Sequence, residues 1–95
     1  MSKEVSYKNH DRFVQLGIAI AALRKLYGYS QEELAEKANI SRSLLSRIEA
    51  PNMSSRFSLE VFFNLADALK VDPADLINAS IFPEKIIHKV KDKKE

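Results

Sequence analysis

Arg42, Ser43, Ser46 and Arg47 stand within one six-residue stretch, and none of the residues between them is an acid. Two guanidinium forks and two small hydroxyls make a donor-rich surface. Each arginine matches guanine O6 and N7 bidentately, a good pair being worth about 1–3 kcal/mol of discrimination, or else serves a phosphate oxygen as a solvated surface cation. Both uses stay open for Arg42 and Arg47. Asn52, Ser54, Ser55 and Arg56 follow with further donors and little bulk, the kind that contacts a nucleic-acid backbone or simply lines a solvated loop. Leu44, among the polar residues, suits a thymine methyl or packs half-buried against a neighbouring helix.

Catalytic chemistry needs other materials. Ser41, Ser43 and Ser46 have no histidine near them in sequence, His10 and His88 lie toward the two ends, and no glycine-rich phosphate loop occurs. Zero cysteine excludes disulfides, thiolate nucleophiles and cysteine-ligated zinc. No catalytic residue, metal or cofactor is expected, and the chain reads as a non-enzymatic binding module.

The donors need helices to hold them. With two glycines, three prolines and no sustained apolar–polar alternation, the chain reads as all-α with short connections. Residues 1–9 are polar and expected to fray. From about His10, Phe13, Leu16, Ile20, Leu23 and Tyr27 recur on one helical face until Gly28. Ser30 with Glu33 three residues on is a capping box, so a second helix starts at Gln31, burying Leu34, Ala35 and Ala38. Asn39, a residue type that tolerates positive φ, turns the chain. Ser41 caps a third helix from Arg42 to about Ala50, with Leu45 and Ile48 inward, and Pro51 prevents its continuation. After a polar, irregular loop through Phe57, Ser58 caps a fourth helix with the stripe Phe62, Leu65, Ala66 and Leu69. Asp72-Pro73 opens a fifth as cap and first-turn proline. Five short helices cannot form a long bundle, so a compact cluster is expected around Leu16, Leu23, Leu34, Leu45, Ile48, Leu65 and Leu69. The boundaries are a flexible segment at 1–9, a helical domain at 10–79 and an extension at 80–95.

Helix, tight turn and helix across Gln31–Glu49 make a helix-turn-helix, with the small Ala35 where the two helices touch. Its second helix has the width of a major groove and shows only small or cationic side chains outward. Gln31 opens the first, where free N–H groups and the positive dipole end favour a phosphate, and the Ser41 hydroxyl lies at the matching place on the other.

Ninety-five residues, 45% hydrophobic and 29% charged, allow one modest core and leave little room for an enzyme's cleft and its supporting shell. The net charge of +2 is weak, but it is segregated: residues 1–58 carry nine Lys and Arg against six Asp and Glu, 59–83 one against four, and 84–95 five against three. The lysines of the last segment read as a solubilising tail. A polar N-terminus and the lack of an apolar run of about 20 residues predict neither a secretory signal nor a membrane span, and hence a cytoplasmic location.

The chain resembles the lambda-repressor-like, or XRE/Cro/C1-type, helix-turn-helix family over about Phe13–Ile77. The resemblance is carried by Leu23-Arg24, by Tyr29-Ser30-Gln31-Glu32-Glu33-Leu34-Ala35 and by Ile40-Ser41-Arg42-Ser43-Leu44-Leu45-Ser46-Arg47-Ile48-Glu49. Leu65-Ala66-Asp67-Ala68-Leu69 and Val71-Asp72-Pro73-Ala74-Asp75-Leu76 complete it. Asn39 stands where the family often has glycine, and Ala50-Pro51 where it commonly has Asn-Gly or Arg-Gly. The resemblance implies a five-helix DNA-binding fold, a phosphate contact by Gln31, and a salt bridge between Arg24 and Glu49 that clamps the first helix to the end of the recognition helix.

It implies, too, a transcriptional regulator, by default a repressor, that binds a pseudo-palindromic operator in double-stranded DNA as a homodimer. RNA polymerase or another protein is a further expected partner. No ligand-binding domain is expected, so control would come from concentration, a partner or proteolysis. Phe63, Leu76, Ile77, Phe82 and Ile86 are the candidates for the dimer interface, since the apolar residues after the fifth helix otherwise form an exposed patch or fold back on their own core. The rival reading is a protein-interaction module on the same fold, such as an antitoxin or a coactivator. A groove reader has reason to keep two arginines and small hydroxyls facing outward, and an interaction module does not.

Overall fold

Between residues 2 and 27 the chain has one glycine and no proline, so nothing interrupts a helix once it has started, and α1 runs Ser2–Tyr27. The computed structural model describes residues 2–50 and 56–81, with side chains from residue 9 onward. Asn52, Ser54, Ser55, Phe82 and Ile86 lie outside the described residues. The helix begins eight positions before the start that the apolar stripe marks, because helix propagation needs no apolar face, only the absence of breakers.

Four shorter helices follow: α2 Gln31–Ala38, α3 Arg42–Glu49, α4 Leu59–Ala68 and α5 Pro73–Ala79. Serine starts three of them. Ser30, Ser41 and Ser58 all take extended backbone angles, and their hydroxyl oxygens accept from the N–H of Glu33, Leu44 and Val61 at 3.0, 3.0 and 3.1 Å. Each bond satisfies a helix N–H that has no partner inside the helix. Asp72 departs from that pattern: its side chain makes no capping bond, and Pro73 starts α5 through its preset φ instead.

Three helices end in one way. Gly28, Asn39 and Lys70 take left-handed φ values of 79°, 57° and 58°, and in each case the two N–H groups at the turn reach back to orphan carbonyls. Tyr29 donates to Arg24, Ile40 to Ala35 and Val71 to Ala66, at 3.0–3.1 Å. These are Schellman endings, and the apolar pairs Ile40/Ala35 and Val71/Ala66 supply the contact that usually accompanies them. Glycine and asparagine announce such a turn; lysine does not, and Lys70 holds the conformation because Val71 and Leu69 on either side are buried.

The core is one cluster in which Ile20, Leu23, Leu34, Leu45, Ile48, Leu65, Leu69 and Leu76 are fully buried. α1 packs on α3 and α5, α2 on α3 and α4, and α4 on α5. Leu16, expected in the centre, is only half-buried at its edge. Leu76, expected at a dimer interface, has no exposed surface, since α5 turns it inward against the other helices. Phe57 is not a polar-loop residue either: its ring meets Phe13 edge-on at 5.1 Å and seats the entry to α4 on α1. Tyr27 stacks on Tyr29 at 5.5 Å, and burial, with Tyr29 beside it, pushes the Tyr27 hydroxyl above the usual tyrosine range. No helix among the described residues is long and apolar enough to cross a membrane.

Candidate nucleic-acid interface

The helix-turn-helix geometry depends first on how closely α3 approaches α1. Gly17 lies opposite the carbonyl oxygen of Ile48, and a Cβ at that position would occupy the same space as the oxygen. Glycine costs a helix interior up to about 1 kcal/mol relative to alanine, so here it serves the close approach rather than the helix. Sequence reasoning passed over it. The available signal was an isolated glycine inside a helical apolar pattern, which commonly has a packing reason.

With α3 seated, Leu45 and Ile48 point into the core and Leu44 is half-buried against it. Leu44 thus packs on the core with part of its surface left accessible. Arg42, Ser43, Ser46 and Arg47 are all exposed and together line one shallow depression on the outer side of the helix. The Arg47 Nη1 donates to Ser43 Oγ at 3.1 Å, one helical turn back. Ser43 thereby spends acceptor capacity on Arg47 and keeps its own hydrogen to give. Arg42 makes no hydrogen bond among the described residues, so its whole fork is open. Ser41 uses its oxygen as the α3 cap and likewise retains its O–H. Arg56 is exposed just before α4.

A part-buried network gathers at the far end of α3. Glu49 is the one buried charged residue among those described, with only 5% of its side chain exposed. Arg24 Nε donates to its Oε2 at 2.8 Å and Nη2 to its Oε1 at 3.0 Å, a bidentate pair between α1 and α3. A third donor, Nη1, reaches the Tyr29 carbonyl at 2.7 Å and ties in the turn between α1 and α2. Gln31 joins from the start of α2, its Nε2 donating to Glu49 Oε1 at 2.9 Å. The resemblance pointed to the Arg24–Glu49 pair, but neither it nor the residue pattern indicated that Gln31 shares the carboxylate.

The start of α2 is electrostatically mixed. Its backbone N–H groups favour an anion, while Glu32 and Glu33 occupy the first turn with opposing charge. Glu33 is partly spent on its own cap, Oε1 accepting from the Ser30 N–H at 2.8 Å. Gln31 adds a neutral amide at that end, which brings donors without further negative charge.

A second surface has another character. Phe13, Leu16, Ile77 and Ile81, together with Asn9, Arg12, Gln15 and Ser80, line a groove of about 380 Å³ between α1 and α5. A second depression of about 270 Å³ shares Phe13, Leu16 and Ile77 and adds Phe57, Leu59 and Phe62. Phe63 and Ile77, both expected at a dimer interface, are exposed, as are Leu59 and Ile81.

A family model described as helix-turn-helix matches residues 20–76, more than half of the chain, and spans α2, α3, α4 and the network around Glu49. No curated protein and no solved structure gives a significant match.

Proposed function

From the premise that the chain belongs to the lambda-repressor-like (XRE-type) helix-turn-helix family of DNA-binding regulators, we propose that it is a sequence-specific transcriptional repressor acting as a homodimer. Each subunit places α3 in the major groove, the two half-sites lying about 10 bp apart on a pseudo-palindromic operator. Repression follows from occupying the operator and excluding RNA polymerase in the cytoplasm, where the DNA is.

One observation carries the reading: Arg42, Ser43, Ser46 and Arg47 stand exposed on the outer face of α3 while the Ser41 cap fixes its start and the buried Leu45 and Ile48 seat it in the core. Rigid placement of a short polar face is what direct base readout requires. Arg42 reads a base edge with its free fork. Arg47, held by Ser43, contacts a base or the adjoining phosphate. Gln31, Ser41 and Arg56, with Asn52, Ser54 and Ser55, supply the sequence-independent contacts to the backbone. Dimerisation uses the apolar side, through Phe63 and Ile77 with Phe82 and Ile86; Leu76, being inside the core, takes no part.

Selection of random duplex DNA on the purified protein near physiological salt tests this, with Arg42→Ala alongside. A two-fold symmetric consensus is expected, degraded by the variant at one base-pair position per half-site by about 1–3 kcal/mol. Equal loss on all sequences would remove Arg42 from base reading. The exposed apolar side also favours a second reading, in which a protein partner docks on Phe63 and Ile77 as on an antitoxin or a coactivator. That reading takes over if no consensus emerges.

A further inference from the structure

We infer that Glu49 is a positioning residue for the DNA backbone contact: it holds the Gln31 amide so that the remaining N–H of Nε2 is presented to a phosphate beside α2. The inference rests on the proposed reading of Gln31 as a phosphate donor and adds what makes it effective. An ionised carboxylate has no hydrogen to give, so only the nitrogen side of an amide can face it. The 2.9 Å bond from Gln31 Nε2 to Glu49 Oε1 therefore decides which way the amide lies, where an isolated glutamine would turn freely.

Glu49 can impose that choice because it cannot itself swing. Its two oxygens are taken by Arg24 at 2.8 and 3.0 Å, and Arg24 is tied in turn to the Tyr29 carbonyl. Gln15, exposed on α1 with no side-chain hydrogen bond among the described residues, shows the contrasting case within the same chain. A long side chain ordered before binding loses less rotamer freedom on contact, so the same hydrogen bond contributes more affinity.

The placement of Glu49 points to function as well. It is the last residue of α3, where the helix dipole disfavours an acid. A local rule broken in that way, with a cation from α1 brought in to offset it, is characteristic of a site under functional demand. Since Glu49 belongs to the recognition helix and Gln31 to α2, the bond between them fixes the phosphate-contacting amide relative to the base-reading face. The two kinds of contact then engage the duplex in one register.

The test is ethylation interference on the selected operator, with the full chain, Gln31→Ala and the double variant Arg24→Met/Glu49→Met. The double variant removes Gln31's acceptor while replacing an ion pair by apolar chains of similar length, a change that often leaves stability intact. In the wild type, ethylating one phosphate per half-site should weaken binding about tenfold, the size of one lost hydrogen bond. Gln31→Ala should abolish that sensitivity. The double variant should abolish it at the same phosphate although Gln31 is present, and should keep the base preferences.

Persistent sensitivity in the double variant overturns the inference, as does a loss of base preferences together with it, which would mean that Glu49 only braces α3. Should the double variant fail to fold, side-chain amide relaxation in the wild type decides: Gln31 more restricted than Gln15 supports the role, and equal mobility overturns it. If selection yields no operator, the DNA reading falls and this role with it; an operator without the shared phosphate sensitivity removes the role alone.

Discussion

The outer face of α3 and the face between α1 and α5 differ in what covers them and in the forces those residues can exert. On α3 the exposed residues are Arg42, Ser43, Ser46 and Arg47, set on a helix capped by Ser41 and seated in the core by Leu45 and Ile48. Between α1 and α5 the surface is Phe13, Leu16, Ile77 and Ile81, which line grooves rather than fill them. Directional hydrogen bonding demands placement to within a fraction of an ångström, whereas apolar contact is non-directional and tolerates an adjustable surface. One domain can thus carry a polar face that suits directional contacts and an apolar face that suits adjustable ones, because different forces serve the two.

Substitutions that touch one face and spare the other should separate them. The largest effect is expected from Gly17→Ala, whose Cβ meets the Ile48 carbonyl and must push α3 away from α1. Overpacking against backbone should cost up to about 3 kcal/mol, opposite in sign to the gain that alanine normally brings to a helix. Thermal unfolding measures it, and a raised melting temperature would show that the close approach is not maintained in solution. DNA affinity should fall as well if, as proposed, α3 carries the base-reading residues.

Ile77→Asp comes next and should act on assembly alone. Sedimentation at tens of micromolar should shift from dimer to monomer, and operator affinity should drop by about a hundredfold as the two half-sites lose their linkage. The folded monomer should survive, because Ile77 is 43% exposed. A variant that remains dimeric would place the interface elsewhere.

Ser41→Ala removes the α3 cap and should cost about 1 kcal/mol in urea unfolding, with weaker binding to all DNA sequences alike and an unchanged oligomeric state. Smallest is Asn39→Gly, which relieves left-handed backbone strain at φ 57° in the turn between α2 and α3. A gain of about 0.5 kcal/mol is expected, with no change in binding or assembly. Loss of DNA binding there would give the Asn39 side chain a role that its geometry does not suggest.

Much of this architecture is legible in the sequence. The starts of α2, α3 and α4 could be read from Ser30, Ser41 and Ser58, and the outward set on α3 from helical periodicity. The fifth start was read at the right place for half of the reason: Pro73 opens α5, but Asp72 does not cap it. Lys70 gave no warning of a left-handed turn, because its conformation is dictated by the burial of its neighbours rather than by its own type. Leu76 was indistinguishable from Ile77 as a surface candidate, since both are apolar and adjacent, and only the orientation of α5 sends one inward and leaves the other out.

What the sequence by itself determined were features settled within about one helical turn and signalled by residue type: the three serine caps, the turn at Asn39, and the run of donors on one side of α3. Such features depend on hydrogen bonds between residues three to five apart, so residue type and spacing contain them. Only the tertiary structure decided that Gly17 is where α1 yields to α3, and that one carboxylate at Glu49 gathers Arg24 and Gln31 from 25 and 18 positions away. Those contacts are set by how the packed helices cross, and the crossing follows from the whole core acting together rather than from any local pattern.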